Sequence, residues 1–375
     1  MTVQQHGGLR LGELRAYGLR PDEVLDFSAS INPLGASPRA LAALSTVDYA
    51  RYPDPECTAL RDRIAAAVGV TAAEVLPGNG ATELLHLVVR VFVRQGQRPV
   101  VFTPTFGEFG RACETVGASP FPWHANPERG FRWNFRNKPA VLRRVAPPLV
   151  YLCNPNNPTS RLEPKKKVME VVEECEARGT LVFVDEAFMD FLREGKRSSC
   201  VPEVENHRNL FVSRSLTKIF SMPGFRVGYG VGARELVGFI DKVRLSWGVG
   251  VLEQLVAAEL LRKCGPYLEK TVSLVEQEKN YLYRRISETA GYMVFRPDAN
   301  FLFISVRELG VDAATVRALL LGEGILVREC GSFGKEYSTF IRVGVKKRSL
   351  NEVLVEALKR ISEKVQTSLA PAKPI

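Results

Sequence analysis

Between about residues 56 and 240 the chain alternates between two textures. Short unbroken apolar runs at 75–77, 99–102, 149–152, 181–184, 210–212 and 227–231 predict strands. Between them, 82–93, 165–178 and 233–243 repeat apolar residues at helical spacing. Strands without polar alternation, separated by helices, predict a mostly parallel sheet covered on both faces. From about 250 the texture changes. A long helical stretch over 252–288 precedes alternating strands at 300–306, 325–329 and 338–345, and a helix over 350–365 closes the pattern. That order predicts a smaller α+β domain. The expected organisation is an amino-terminal arm (1–30), a large α/β domain (31–248) and a small carboxy-terminal domain (249–375), with the tail from 368 fraying. A chain of 375 residues needs two such cores, since single ones rarely grow past about 250–300 residues.

In an open parallel sheet, functional groups collect where the strands end. Each stretch that follows a strand here is rich in small or polar residues. "PGNGATELLHLVV" (77–89) runs through two glycines into a helix. Small residues there let backbone N–H groups meet an anion, with the helix dipole in support; taken alone, a plain glycine turn is the simpler reading. "YLCNPNNPTS" (151–160) carries three asparagines, either donors into a crevice or parts of an Asx-Pro loop. "LVFVDEAFMDF" (181–191) ends an apolar strand on Asp185. A buried carboxylate there needs a cationic or N–H partner, and a protonated heterocyclic nitrogen supplies one; a helix cap is the plainer reading. "SRSLTKIFSMPGFRVGYG" (213–230) then brings Ser213, Ser215, Lys218 and Arg226. Hydroxyls with an arginine suit a phosphate, and a desolvated lysine crowded by positive charge is primed to form a Schiff base. Together these are the groups that pyridoxal phosphate asks of a protein.

Composition narrows the field. The chain is 45% hydrophobic and 25% charged, an ordinary globular profile. No apolar run reaches the roughly 18–20 residues of a membrane span, and MTVQQHGGLR has no apolar signal core, so neither membrane insertion nor export is expected. Seven cysteines are scattered without a CxxC, beside four histidines. Reduced thiols in a cytoplasm, and no metal site, follow as expectations. The net charge of +10 admits an anionic partner. The basic clusters at 165–167 and 346–348 are short and lack interleaved aromatics, which reads as solvated helix ends rather than a nucleic-acid surface. Anionic small substrates stay compatible with it.

In the order GNGATE, PTF, NPNNPT, DEAF, SRSLTK, GFRVGYG and FIRVG, the chain resembles the type I fold of pyridoxal-phosphate enzymes, the aspartate aminotransferase superfamily, from about residue 25 to 360. Within it the chain is similar to histidinol-phosphate aminotransferases. It is more similar to the L-threonine O-3-phosphate decarboxylases of cobalamin synthesis, through His6-Gly7-Gly8, "DFSASINPLG" (26–35), "YPDP" (52–55), "PTFGEF" (104–109) and "DEAFMDF" (185–191). The resemblance implies an α/β fold with a mostly parallel seven-stranded sheet and a smaller α+β domain. It implies Lys218 as the lysine that carries the cofactor and Asp185 as the partner of the ring nitrogen. Asn157 would donate to the ring oxygen, and Phe106 would stack on the ring. Gly80, Ala81, Thr82, Ser215 and Arg226 would hold the phosphate. In a homodimer, Tyr52 would reach the partner's cofactor phosphate. His6, Gly7, Asn32, Asn157 and Arg342 would take the phosphorylated amino-acid substrate, Arg342 at its carboxylate.

There are departures. Phe188 stands where many relatives carry Tyr, Ser160 replaces a glycine, and "LSWGVGVLEQ" (245–254) lacks the Pro and Asn that commonly flank its tryptophan. The implied activity is decarboxylation of threonine phosphate or serine phosphate, with aminotransfer on histidinol phosphate as the alternative. A regulator built on the same fold would need a DNA-binding module, and no such module is read here.

Overall fold

The computed structural model describes residues 6–134 and 138–369. In chain order the strands are β1 (Leu25–Asp26), β2 (Val75–Gly78), β3 (Val100–Thr103), β4 (Phe121–His124), β5 (Leu149–Cys153), β6 (Leu181–Asp185) and β7 (Leu210–Ser215). There follow β8 (Gly228–Gly232), β9 (Met293–Phe295), β10 (Phe301–Ser305), β11 (Ile325–Leu326), β12 (Arg328–Glu329) and β13 (Phe340–Gly344). The chain divides into two compact units. One comprises Leu34–Asn157 and Arg161–Val272; the other comprises Met1–Pro33, Pro158–Ser160 and Ser273–Ile375.

The first unit holds a seven-stranded sheet in the order β2-β8-β7-β6-β5-β3-β4. β4, β3, β5, β6 and β7 run parallel, and β8 lies antiparallel to both β7 and β2. β5, β6 and β7 are buried at every residue, as their unalternated Val, Leu and Phe demand when both faces are covered. The helix Gly80–Phe92 packs Leu84, Leu85, Val88 and Val89 into one core with Tyr151, Phe183 and Phe211. Phe183 meets the other two rings edge to face at 5.6 and 5.4 Å. β8 must carry glycine there, because a Cβ on Gly230 would lie 2.1 Å from the Phe211 ring. Besides β1 and β9 of the other unit, the strand that apolar pattern missed is β4. Its Phe-Pro-Trp-His alternates half-buried and exposed positions, and its proline is tolerated because the strand is an edge.

The second unit holds a four-stranded antiparallel sheet, β12-β13-β10-β9, and a separate parallel pair, β1 with β11. Leu302, Ile304, Ile341 and Val343 pack under Leu354, Leu358 and Ile361 of the helix Arg348–Leu369. The apolar run expected at 325–329 is therefore two strands in two sheets. The single helix expected over 252–288 is also corrected: it is two helices, Val251–Leu261 and Gly265–Ser287. Lys263 turns the backbone between them with φ +60°, and Pro266 sits at the start of the second, where its missing N–H costs nothing. The closing helix reaches Leu369; residues 370–375 of the tail and residues 1–5 of the opening arm lie outside the described residues. No helix among the described residues is long and apolar enough to cross a membrane. Nor do these residues contain a group of three or more His, Cys, Asp or Glu able to hold a metal ion.

Candidate active site

β5, β6 and β7 end side by side, with Cys153 opposite Asp185 and Asp185 opposite Ser213. Paired residues on neighbouring strands share a face, so the strand ends present Asp185 and Ser213 together. Asp185 is buried. Its Oδ2 accepts the Tyr151 O–H at 2.9 Å and its Oδ1 accepts the Ala187 N–H at 3.0 Å. Burial pushes this carboxyl above its ordinary range, and the Lys218 ammonium and the two donors draw it back down. Burial, reinforced by Asp185, also holds the Tyr151 phenol well above its ordinary value, so Tyr151 acts as a fixed donor.

Lys218 sits on the single helical turn Leu216–Ile219 that follows β7. It is half-buried, and its Nζ lies 4.9 Å from the centroid of the Phe188 ring, within cation–π range. Ser215, at the cap position of that turn, is buried with its Oγ 2.9 Å from Thr217 Oγ1. Beside it, Gly80 opens the helix Gly80–Phe92 with φ +75°. A Cβ on Gly80 would lie 2.7 Å from Arg226 Nη2, and one on Gly228 would lie 2.6 Å from the Ala81 nitrogen. Guanidinium, helix start and β8 backbone therefore converge where no side chain fits. First-turn N–H groups have no partner within their own helix, and the dipole there favours an anion. Thr82 is half-buried in the same turn.

The asparagine loop divides its labour. Asn154 donates to the Glu163 carbonyl at 3.0 Å and accepts the Glu163 N–H at 2.8 Å. Asn156 accepts from Thr105 Oγ1 at 3.0 Å and donates to the Pro104 carbonyl at 2.8 Å. Both hold the loop's shape. Asn157, buried directly after them, is placed by that scaffold, and Phe106 is half-buried against the same core. Pyridoxal phosphate fits these groups. The cradle at Gly80, Ala81, Thr82, Ser215 and Arg226 brings together the guanidinium, hydroxyls and first-turn N–H groups that a phosphate needs. Asp185 is an acceptor for a ring N–H, Lys218 offers an amine, and Phe106 is a flat apolar ring. Tyr52 is 80% exposed and stacks on Trp247, ring centroids 4.7 Å apart. The segment carrying Trp247 is tied back by Asn79 Nδ2, which donates to the Gly248 carbonyl at 3.0 Å.

The second unit gathers the remaining expected residues. Arg342 on β13 is buried and donates to the Ser28 carbonyl at 2.6 Å. Gly8 N–H donates to Ser28 Oγ at 2.7 Å, and a Cβ on Gly7 would lie 2.2 Å from the Ser28 oxygen. The arm needs glycine to lie this close. His6, Gly8, Arg10, Ser28, Arg317 and Arg328 line one cleft, in which Arg317 is held by Glu13 at 2.5 and 2.7 Å. Asn32 is buried in this unit. Sequence reasoning missed Arg328. It is buried on β12 directly opposite Arg342, an arrangement of like charges that is unfavourable by itself. Burial, together with Arg328, lowers the Arg342 pKa to about 10, and burial lowers Arg328 as well. Its sequence signal was a charged residue inside the apolar run "ILVREC" (325–330).

Comparison with known proteins identifies the family. The model of the family described as aminotransferase class I and II matches residues 22–358. A Caldanaerobacter subterraneus subsp. tengcongensis protein, provisionally named a threonine-phosphate decarboxylase, is 35% identical over 89% of each chain. The threonine-phosphate decarboxylase of Salmonella typhimurium is 30% identical over 98% of each. The histidinol-phosphate aminotransferase of Methanopyrus kandleri is 31% identical over 93% of this chain and 91% of its own. Among solved structures, the Sinorhizobium meliloti histidinol-phosphate aminotransferase in complex with pyridoxal-5'-phosphate superposes with a TM-score of 0.84, at 22% identity and over 94% of each chain. The cradle, the strand-end carboxylate and the lysine thus stand in a chain that belongs to the class I and II aminotransferase family of pyridoxal-phosphate-dependent enzymes.

Proposed function

We propose that this protein decarboxylates L-threonine O-3-phosphate, or its serine counterpart, to an aminoalcohol phosphate of the kind cobalamin synthesis uses. The observation that carries the reading is the buried pair Arg328 and Arg342, directly opposed on β12 and β13. Two guanidiniums, Arg342 for the carboxylate and Arg328 beside it, suit a substrate that carries a phosphate as well as a carboxylate better than a monoanion. Relatives named as threonine-phosphate decarboxylases support it. A second reading, aminotransfer on histidinol phosphate, is favoured by relatives of similar identity and by the same arginine pair, since that substrate also carries a phosphate.

Bound pyridoxal phosphate supplies the electron sink for the bond broken at the substrate's α-carbon. The chain's residues do the rest. Lys218 holds the cofactor, and Asp185, fixed by Tyr151 and Ala187, keeps a proton on the ring nitrogen. The cradle anchors the phosphate, and Asn157 donates to the ring oxygen. Arg342, Arg328, His6, Gly7 and Asn32 bind the substrate's anionic groups. The exposed Leu41, Tyr49, Tyr52, Leu245 and Trp247 of the first unit support a homodimer in which Tyr52 serves the partner's site. Exposed aromatic residues of this kind commonly belong to interfaces.

The test is incubation with threonine phosphate, serine phosphate and, with a 2-oxo acid acceptor, histidinol phosphate. Carbon dioxide released without any new 2-oxo acid supports decarboxylation, and amino-group transfer from histidinol phosphate moves the assignment to the second reading. A monomeric mass at micromolar concentration with full activity would overturn the dimer.

A further inference from the structure

Behind the strand ends lies a buried ion cluster that none of the roles above uses. Arg214 stands between Ser213 and Ser215 on β7, so its side chain leaves the sheet on the opposite face from theirs. The guanidinium donates to Glu186 Oε2 at 3.0 Å, to Ser199 Oγ at 2.8 Å and to Asp190 Oδ1. Glu186 is fully buried and also accepts from Ser199 Oγ at 2.8 Å and from the Cys200 N–H at 2.6 Å. One guanidinium therefore grips both ends of the loop from 186 to 190. Between the two grips lie Ala187, whose N–H holds Asp185, and Phe188, whose ring lies against the Lys218 nitrogen.

We propose that Arg214 is a positioning residue for the cofactor site: its planar fork clamps the loop at Glu186 and Asp190 and so sets the Phe188 ring against Lys218. A point-charge ammonium cannot span both carboxylates in this way. The groups facing the Lys218 nitrogen include Phe188 from the loop, Asp185 from the end of β6 with Tyr151 bonded to it, and Cys153 from the end of β5. Of these, Phe188 is the one carried between the two grips of the clamp, with Phe191 beside it at 6.4 Å between ring centroids, whereas Asp185 is also held by its strand and by Tyr151. An aromatic face stabilises a nearby cation, so loosening the clamp lowers the pH at which the lysine nitrogen in the holoenzyme gives up its proton.

The experiment titrates the visible absorbance of bound pyridoxal phosphate against pH in the full-length holoenzyme, for Arg214→Lys, Phe188→Leu and the double variant. Melting temperature is recorded alongside. Arg214→Lys and Phe188→Leu should each lower the midpoint by about half a pH unit or more. The double variant should go no further than the larger single one, because both act through the same ring. A lower melting temperature with an unmoved midpoint would make Arg214 purely structural and overturn the proposal. So would fully additive shifts. If Arg214→Lys does not fold, Asp190→Asn releases one grip at a less buried position and should shift the midpoint the same way; an unmoved midpoint there also overturns it. The inference rests on Lys218 as the residue that carries the cofactor, and Lys218→Ala separates the two. A pH-dependent imine absorbance retained in Lys218→Ala defeats that assignment and this inference with it; that absorbance lost there while Arg214→Lys is silent defeats this inference alone.

Discussion

Two regions of the molecule bury arginine, and their surroundings treat the charge in opposite ways. Burial alone depresses the Arg214 pKa, but the Asp190 and Glu186 carboxylates more than offset this and hold it above the ordinary value. Arg342 is as deeply buried, and there burial, with Arg328 opposite adding to it, brings the pKa down to about 10. The first cluster closes on itself and serves as a bolt. The second keeps two like charges together at the expense of stability, a trade that makes sense when an anionic ligand is to be gripped there.

The largest expected effect tests the premise that either region serves a cofactor site. Lys218→Ala leaves both arginine clusters in place and should lower turnover by at least about 10⁴-fold, with loss of the visible absorbance. An absorbing, active variant would break the comparison at its root.

The comparison itself is sharpened by Arg214→Met against Arg342→Met in denaturant melts. Removing Arg214 strands two carboxylates and should cost about 3–5 kcal/mol. Removing Arg342 relieves a repulsion but also loses its bond to the Ser28 carbonyl, so it should cost less stability than that, while kcat/KM falls about a hundredfold through lost recognition of the anion. Equal losses of stability at both positions would show that the two regions do not differ.

A smaller effect concerns pH. Burial raises the folded pKa of Asp185 above its unfolded value near 3.8. The native state of the cofactor-free protein therefore takes up that proton before the unfolded state does. The contribution is fully present below the unfolded value and is lost as pH rises through the folded one. Asp185→Asn should lack this pH dependence in thermal melts of cofactor-free protein, and an identical profile would place the Asp185 titration elsewhere.

The smallest expected effect lies at Ser160, which adopts φ +62° while its Oγ accepts the Ala299 N–H at 2.8 Å. Ser160→Ala keeps the left-handed strain and loses the bond, costing about 1 kcal/mol. Ser160→Gly loses the bond but removes the strain, and should melt near the parent. The opposite order would show that the left-handed backbone at this position carries no strain.

Much of this was legible from local pattern. Unalternated apolar runs marked β2, β3, β5, β6, β7 and β8 to within a few residues, because a strand covered on both faces leaves no polar position along its length. β4 was missed because an edge strand needs no such run, and the helix over 252–288 was drawn too long because apolar spacing continues across the break at Lys263. At the site, Asp185, Lys218 and the glycine turn announced themselves as polar or small residues directly after apolar strands. Arg328 did not, since within a strand nothing local separates a buried arginine from one that reaches solvent.

What the sequence determined by itself was the order of strands and helices and the residue types at the strand ends, since both follow from short-range periodicity and from which side chains a covered strand admits. Tertiary structure decided what those residues face. Only the register of β12 against β13 set Arg328 opposite Arg342, because cross-strand pairing joins positions fourteen residues apart that no local pattern relates. Only the packing behind β7 gave Arg214 its two carboxylates, from a loop more than twenty residues away in the chain. Charge acquires its role from the charges around it, and those neighbours are chosen by the fold.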